Sequence, residues 1–83
     1  MNGPMDMKEA VEKIVYALAD EKDAVEVEEH QDGGTTTFEV RVAESDMGRL
    51  IGRQGRTVKA IRSILFFAGQ KHNRRYSLQI LED

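Results

Sequence analysis

The sequence predicts a small α+β fold in the order helix, strand, strand, helix, helix, strand. Two periodicities and one spacing support this. Apolar residues recur at three and four along 6–19 and again beyond Gly55, and they alternate with polar residues in 25–42 and 76–80. Between the last two helices stand Gly52 and Gly55, separated by two residues, so a tight turn joins them.

The first helix spans about Asp6 to Ala19, where Met7, Val11, Ile14 and Leu18 form an apolar stripe. Asp6 and Glu9 suit the positive end of its dipole, and Asp20-Glu21-Lys22-Asp23 gives it a polar exit. A hairpin follows. Val25 and Val27 alternate with Glu26 and Glu28, Gln31-Asp32-Gly33-Gly34 makes the turn, and Thr36, Phe38, Val40 and Val42 return with one buried face. Glu44 or Ser45 then starts a short helix carrying Met47, Leu50 and Ile51 and ending at Gly52. Beyond Gly55 the stripe Val58, Ile61, Leu65, Ala68 predicts a longer helix, with Arg56, Lys59 and Arg62 on another face and an end near Gly69 to Asn73. Tyr76, Leu78 and Ile80, alternating with Ser77 and Gln79, close the chain as a strand.

At 83 residues there is room for one core. Met1 to Pro4 belongs to no periodic pattern and reads as a cloning remnant, which leaves 5–83 as a single domain. Without cysteine the chain forms neither disulfides nor thiolate metal sites. The apolar run Ile64 to Ala68 is far too short to cross a bilayer, so a cytoplasmic protein without a membrane role is expected. Net charge is −3, but its distribution is uneven: 1–47 holds 13 acidic and 4 basic residues, while 48–81 holds 8 Lys or Arg and no acid. Such an acid-free stretch concentrates positive potential, and phosphate is its commonest partner; a merely solvated helix face is the plainer alternative.

The run Gly48-Arg49-Leu50-Ile51-Gly52-Arg53-Gln54-Gly55-Arg56-Thr57-Val58-Lys59-Ala60-Ile61 resembles the signature of the KH-domain RNA-binding family: an apolar Ile, Gly-x-x-Gly, then a helix carrying Ile. A helix and strand ahead of strand-helix-helix-strand is the order of its type II form, and the chain is most similar to the small stand-alone bacterial members, the KhpA group. The resemblance covers Asp6 to Leu81 and implies a three-stranded mixed sheet with helices packed on one face. It further implies RNA binding in the bacterial cytoplasm, and either a homodimer or pairing with a larger KH protein of the KhpB kind.

The residues support the same reading on physical grounds. Glycines at 52 and 55 allow positive φ and a close approach of phosphodiester to backbone, and a helix N-terminus just past Gly55 favours an anion. Arg53 and Gln54 project from the turn, and Arg56, Thr57, Lys59 and Arg62 extend the polar track. Leu50, Ile51, Val58 and Ile61 are candidates for an apolar groove that receives bases, with the second strand near Val40 and Val42 as its far wall; Val58 and Ile61 serve equally well as core. About four nucleotides of single-stranded RNA fit such a clamp. Ala60, Ile64 and Phe67 form a second apolar row on the same helix, suited to a dimer contact or to core packing.

An enzyme is not expected. The Gly52–Gly55 spacing is too short for an NTP-binding loop, and His30 and His72 lie in different elements without a metal-ligand pattern. No cofactor, metal or small-molecule substrate is expected. Two functions remain: an RNA chaperone or post-transcriptional regulator, or a protein interaction module with residual RNA binding. Arg53, Arg56 and Lys59 favour the first, because a protein-docking module does not need them.

Overall fold

Asp6 opens the first helix of the computed structural model, which describes residues 6–82. Its carboxylate accepts the Glu9 N–H at 2.8 Å, capping α1 (Met7–Leu18). Helix α1 stops at Ala19, where Lys22 folds back and its Nζ donates to the Tyr16 and Ala19 carbonyls, each at 2.7 Å. A short 3-10 turn, Lys22–Ala24, then delivers the chain to the sheet. The proposed remnant at 1–4 lies outside the described residues.

Strands β1 (Glu26–Asp32) and β2 (Thr35–Val42) pair antiparallel. The hairpin is tighter than the sequence predicts. Gln31 and Asp32 belong to β1 and pair with Thr36 and Thr35, leaving Gly33 and Gly34 as a two-residue turn. Gly33 at φ 62° supplies the positive first angle that matches a turn to the twist of its strands. Val25, expected at the start of the strand, instead ends the 3-10 turn, yet it remains buried.

Strand β2 is central. Thr36, Phe38, Val40 and Val42 are all buried on one face, while Thr35, Thr37, Glu39 and Arg41 are half-buried on the other. A second 3-10 turn (Glu44–Asp46) leads into α2 (Met47–Ile51), and the Gly52–Gly55 loop leads into α3 (Arg56–His72). Asn73 ends α3 in the left-handed conformation, and the Arg74 N–H bonds to the Gly69 carbonyl at 2.8 Å. That return needs glycine at 69, since a Cβ there would stand 2.5 Å from the Arg74 carbonyl oxygen. Strand β3 (Arg75–Glu82) then pairs parallel with β2, giving a mixed sheet in the order β1-β2-β3.

One core joins the layers. Val11 and Val15 of α1, Leu50 of α2, and Val58, Ile61 and Leu65 of α3 pack against Phe38, Val40, Val42 and Leu78. Fully burying a side chain of this size contributes about 1.5–3 kcal/mol, so the period-two and period-3.6 stripes suffice to fix which faces meet. The fold is therefore α+β, a three-stranded mixed sheet with its helices on one face, as the resemblance implies. No described helix is long and apolar enough to cross a membrane.

Candidate nucleic-acid interface

The loop between α2 and α3 is built from three residues with positive φ. Gly52 lies at φ 79°, ψ 167°, Gln54 at φ 57°, ψ 26°, and Gly55 at φ 73°, ψ 16°. The two glycines serve different purposes. A Cβ on Gly52 would stand 2.7 Å from the Thr57 Cβ and backbone nitrogen, so the first turn of α3 closes directly onto this residue. At Gly55 the nearest atom to such a Cβ is Lys59 Cε at 3.8 Å, an ordinary contact; there glycine supplies the left-handed angle. The Gly52 N–H bonds back to Gly48 at 2.8 Å and the Gly55 N–H to Gly52 at 3.0 Å, so the loop holds its own shape.

Asp46 fastens the element that carries the loop. Its carboxylate is buried and accepts the backbone N–H groups of Glu21 at 2.9 Å and Asp20 at 3.1 Å, tying the chain after α1 to the start of α2. Those two bonds hold its carboxyl below the ordinary aspartate value, Arg49 and Lys22 assisting, against the opposing effect of burial. Arg49 completes the joint, with Nη2 2.8 Å from Asp20 and Nε 3.7 Å from Asp46. Asp46 escapes sequence reasoning because Glu44-Ser45-Asp46 reads as a polar helix start in which no residue stands out.

The structure brings the polar candidates together. Arg53, Gln54, Arg56, Lys59 and Arg62 are exposed, Thr57 is half-buried beneath Gly52, and Ile51 is exposed beside the loop. Among the described residues the ion pairs involve only His30 and Arg49 as cations, so Arg53, Arg56, Lys59 and Arg62 have no carboxylate partner. Arg62 is steered by one bond, from Nη2 to the Leu78 carbonyl of β3 at 3.3 Å.

Three apolar candidates sit deeper. Leu50 is wholly buried, Ile61 and Val58 nearly so, and all three belong to the core beneath the loop. The far wall is also not where it is expected. Val40 and Val42 are fully buried on the central strand, whose two edges are both paired, and the free edge beside α3 belongs to β3. Ala60, Ile64 and Phe67 of the second row are exposed on α3, the last two by 52% and 65%.

The sheet face turned away from the helices has a different character. Glu28 and Glu39 are paired across β1 and β2, and His30 Nε2 lies 3.2 Å and 3.3 Å from their carboxylates. Like charges directly opposite are unfavourable, and His30 between them offers relief as a donor. These three could present ligand atoms to an ion, but Glu28 and His30 are exposed and Glu39 is only half-buried.

Comparison with known proteins finds similarity along nearly the whole chain. The model of the KhpA/KhpB KH-domain family matches residues 8–80. "RNA-binding protein KhpA" of Halalkalibacterium halodurans is 47% identical over 92% of this chain and 100% of its own length. Proteins of the same name from Borreliella burgdorferi and Chlamydia pneumoniae are 42% and 40% identical, covering 89% and 93% of this chain and 90% and 99% of theirs. With the helix-loop-helix in place and the match spanning nearly every element, the chain belongs to the KhpA/KhpB family of KH domains.

Proposed function

We propose that this chain binds single-stranded RNA, clamping about four nucleotides at Gly52-Arg53-Gln54-Gly55, and acts as a cytoplasmic RNA chaperone or post-transcriptional regulator. The observation that carries this reading is the cluster of exposed cations, Arg53, Arg56, Lys59 and Arg62, none of which has a carboxylate partner among the described residues, around a loop with positive φ at Gly52, Gln54 and Gly55. The relatives' shared name, RNA-binding protein, points the same way. Phosphates would sit against the loop and the start of α3, with Arg53 and Arg56 supplying charge and Gln54 an amide. Ile51 would offer apolar contact to a base, while Leu50, Val58 and Ile61 hold the loop from beneath. The whole of 5–83 serves as one such module, without a catalytic step or cofactor.

A second reading, docking to another protein, is favoured by one observation: Ile64 and Phe67 expose large apolar surface on α3 without a described neighbour covering it. A homodimer, or a heterodimer with a KhpB-like KH protein, would bury that row. It would also place two RNA clamps in one particle and raise avidity without new contacts. The two readings are compatible when the row and the clamp act separately.

Titration of a fluorescent single-stranded RNA pool with the wild type and with Arg53→Asp/Gln54→Asp tests the clamp. The variant retains both glycines and the wild-type circular dichroism, and it loses binding. With three or four phosphates engaged, wild-type affinity falls with salt at a slope of about −2 to −3. Equal binding by a folded variant, or no binding by the wild type, would move the docking reading to first place.

A further inference from the structure

On the sheet face turned away from the helices, Glu28, His30 and Glu39 converge on one point. Glu28 and His30 are two residues apart on β1, so their side chains share a face, and Glu39 of β2 stands directly opposite Glu28. His30 Nε2 lies 3.2 Å from Glu28 Oε1 and 3.3 Å from Glu39 Oε1, and one donor atom from each residue falls within 4.8 Å of the other two. A metal ion bound tetrahedrally at about 2.0 Å spaces its ligand atoms about 3.3 Å apart, the separation that the imidazole already keeps from both carboxylates. Among the described residues neither glutamate is paired with Lys or Arg, so two carboxylates face each other with one imidazole between them. Spacing along the chain hides this set, because the third donor arrives across the hairpin.

We propose that Glu28, His30 and Glu39 form a binding site for one divalent transition-metal ion such as Zn2+, with the three side chains as ligands and the remaining position open to water. Donor chemistry sets the choice of ion. An imidazole with two carboxylates suits zinc, whereas Mg2+ and Ca2+ take shells of oxygen. The ladder between β1 and β2 fixes the backbone on both sides, so the donors are presented from paired strands and not from a loop. Side-chain exposure of 52% at His30 and 59% at Glu28 gives the ion an entry path, while Glu39, at 28%, forms the floor. Once bound, the ion cancels the repulsion between Glu28 and Glu39 and clips the edge strand β1 to the central β2. The site is independent of the RNA reading, since the helices that carry the Gly52–Gly55 loop pack on the opposite face of the sheet.

The test titrates metal-free protein with Zn2+ in a non-coordinating buffer, followed by calorimetry and by the histidine ring signals in proton–carbon NMR. One ion binds per chain in the micromolar range, the His30 ring signals move while those of His72 stay, and the thermal midpoint rises with added Zn2+. His30→Ala, and separately Glu39→Gln, weaken binding by at least about tenfold and abolish the thermal shift, with wild-type circular dichroism in the absence of metal. His72→Ala keeps wild-type affinity, and Mg2+ at the same concentration produces none of these changes. Binding that survives both substitutions, that falls equally in His72→Ala, or that moves His72 alone overturns the site. Absence of Zn2+ binding by the wild type overturns it too, leaving the three groups as a surface ion pair only. Should either substitution unfold the chain, the His30 ring signals of the wild type still decide between a bound ion and an ion pair.

Discussion

The molecule contains two glycine turns, and they differ in almost everything except composition. Gly33-Gly34 closes the hairpin in open space, with nothing within 4 Å of a Cβ at either position. It joins Asp32 to Thr35, and its task is to reverse the chain. Gly52 and Gly55, by contrast, stand in a loop held from several sides: Thr57 packs against Gly52, Asp46 ties its leading helix to the chain after α1, and Leu50, Val58 and Ile61 fill the core below. Around it stand Arg53, Arg56 and Arg62, without a carboxylate partner among the described residues. A glycine that only turns the chain needs no support, whereas one that presents backbone to a ligand needs a rigid seat.

Substituting the glycines measures that difference. Gly52→Ala has the largest effect, because the backbone angles there are accessible essentially to glycine alone and the new Cβ meets Thr57. A loss of about 3 kcal/mol in denaturant unfolding is expected, with RNA binding reduced among the molecules that still fold. Gly33→Ala meets no atom and bears only the left-handed penalty, about 1 kcal/mol, with RNA affinity unchanged. Equal losses at the two sites would erase the distinction between a seat and a simple turn.

Asp46 sharpens the comparison through pH. Its folded-state pKa lies below the ordinary 3.8, so its contribution is fully present above that value and is lost as pH falls through the lowered folded-state value. Asp46→Asn cannot ionise and reproduces at most one of the two acceptor bonds to Asp20 and Glu21. The variant is expected to melt lower at neutral pH and to show a flatter decline below pH 4 than the wild type, as followed by thermal unfolding across pH.

The elements were legible in the sequence because each has an unbroken period. Met7 to Leu18, Thr36 to Val42 and Val58 to Leu65 read directly as stripes that bury one face. The Gly-x-x-Gly turn was legible as well, since its glycines stand between two apolar patterns and among arginines. Long-range pairings were not. Nothing local distinguishes Asp46 from Glu44, or reveals that Arg49 is bound to Asp20 while Arg53 has no ion-pair partner among the described residues. Depth was also hidden: Ile51 and Leu50 are neighbours of the same chemistry, yet one is exposed and the other fully buried, because only packing against the sheet decides which side of a single helical turn faces inward. For the same reason Val40 and Val42 suggested a groove wall, although the central position of β2 encloses them.

The most direct test of the central claim is a titration of nitrogen-15 labelled protein with single-stranded RNA, followed by amide chemical shifts. The account predicts the largest changes at Gly52 to Lys59, with little movement in the outer sheet face around Glu28, His30 and Glu39. Changes centred on that acidic face or on Ile64 and Phe67, with the loop unmoved, would contradict it.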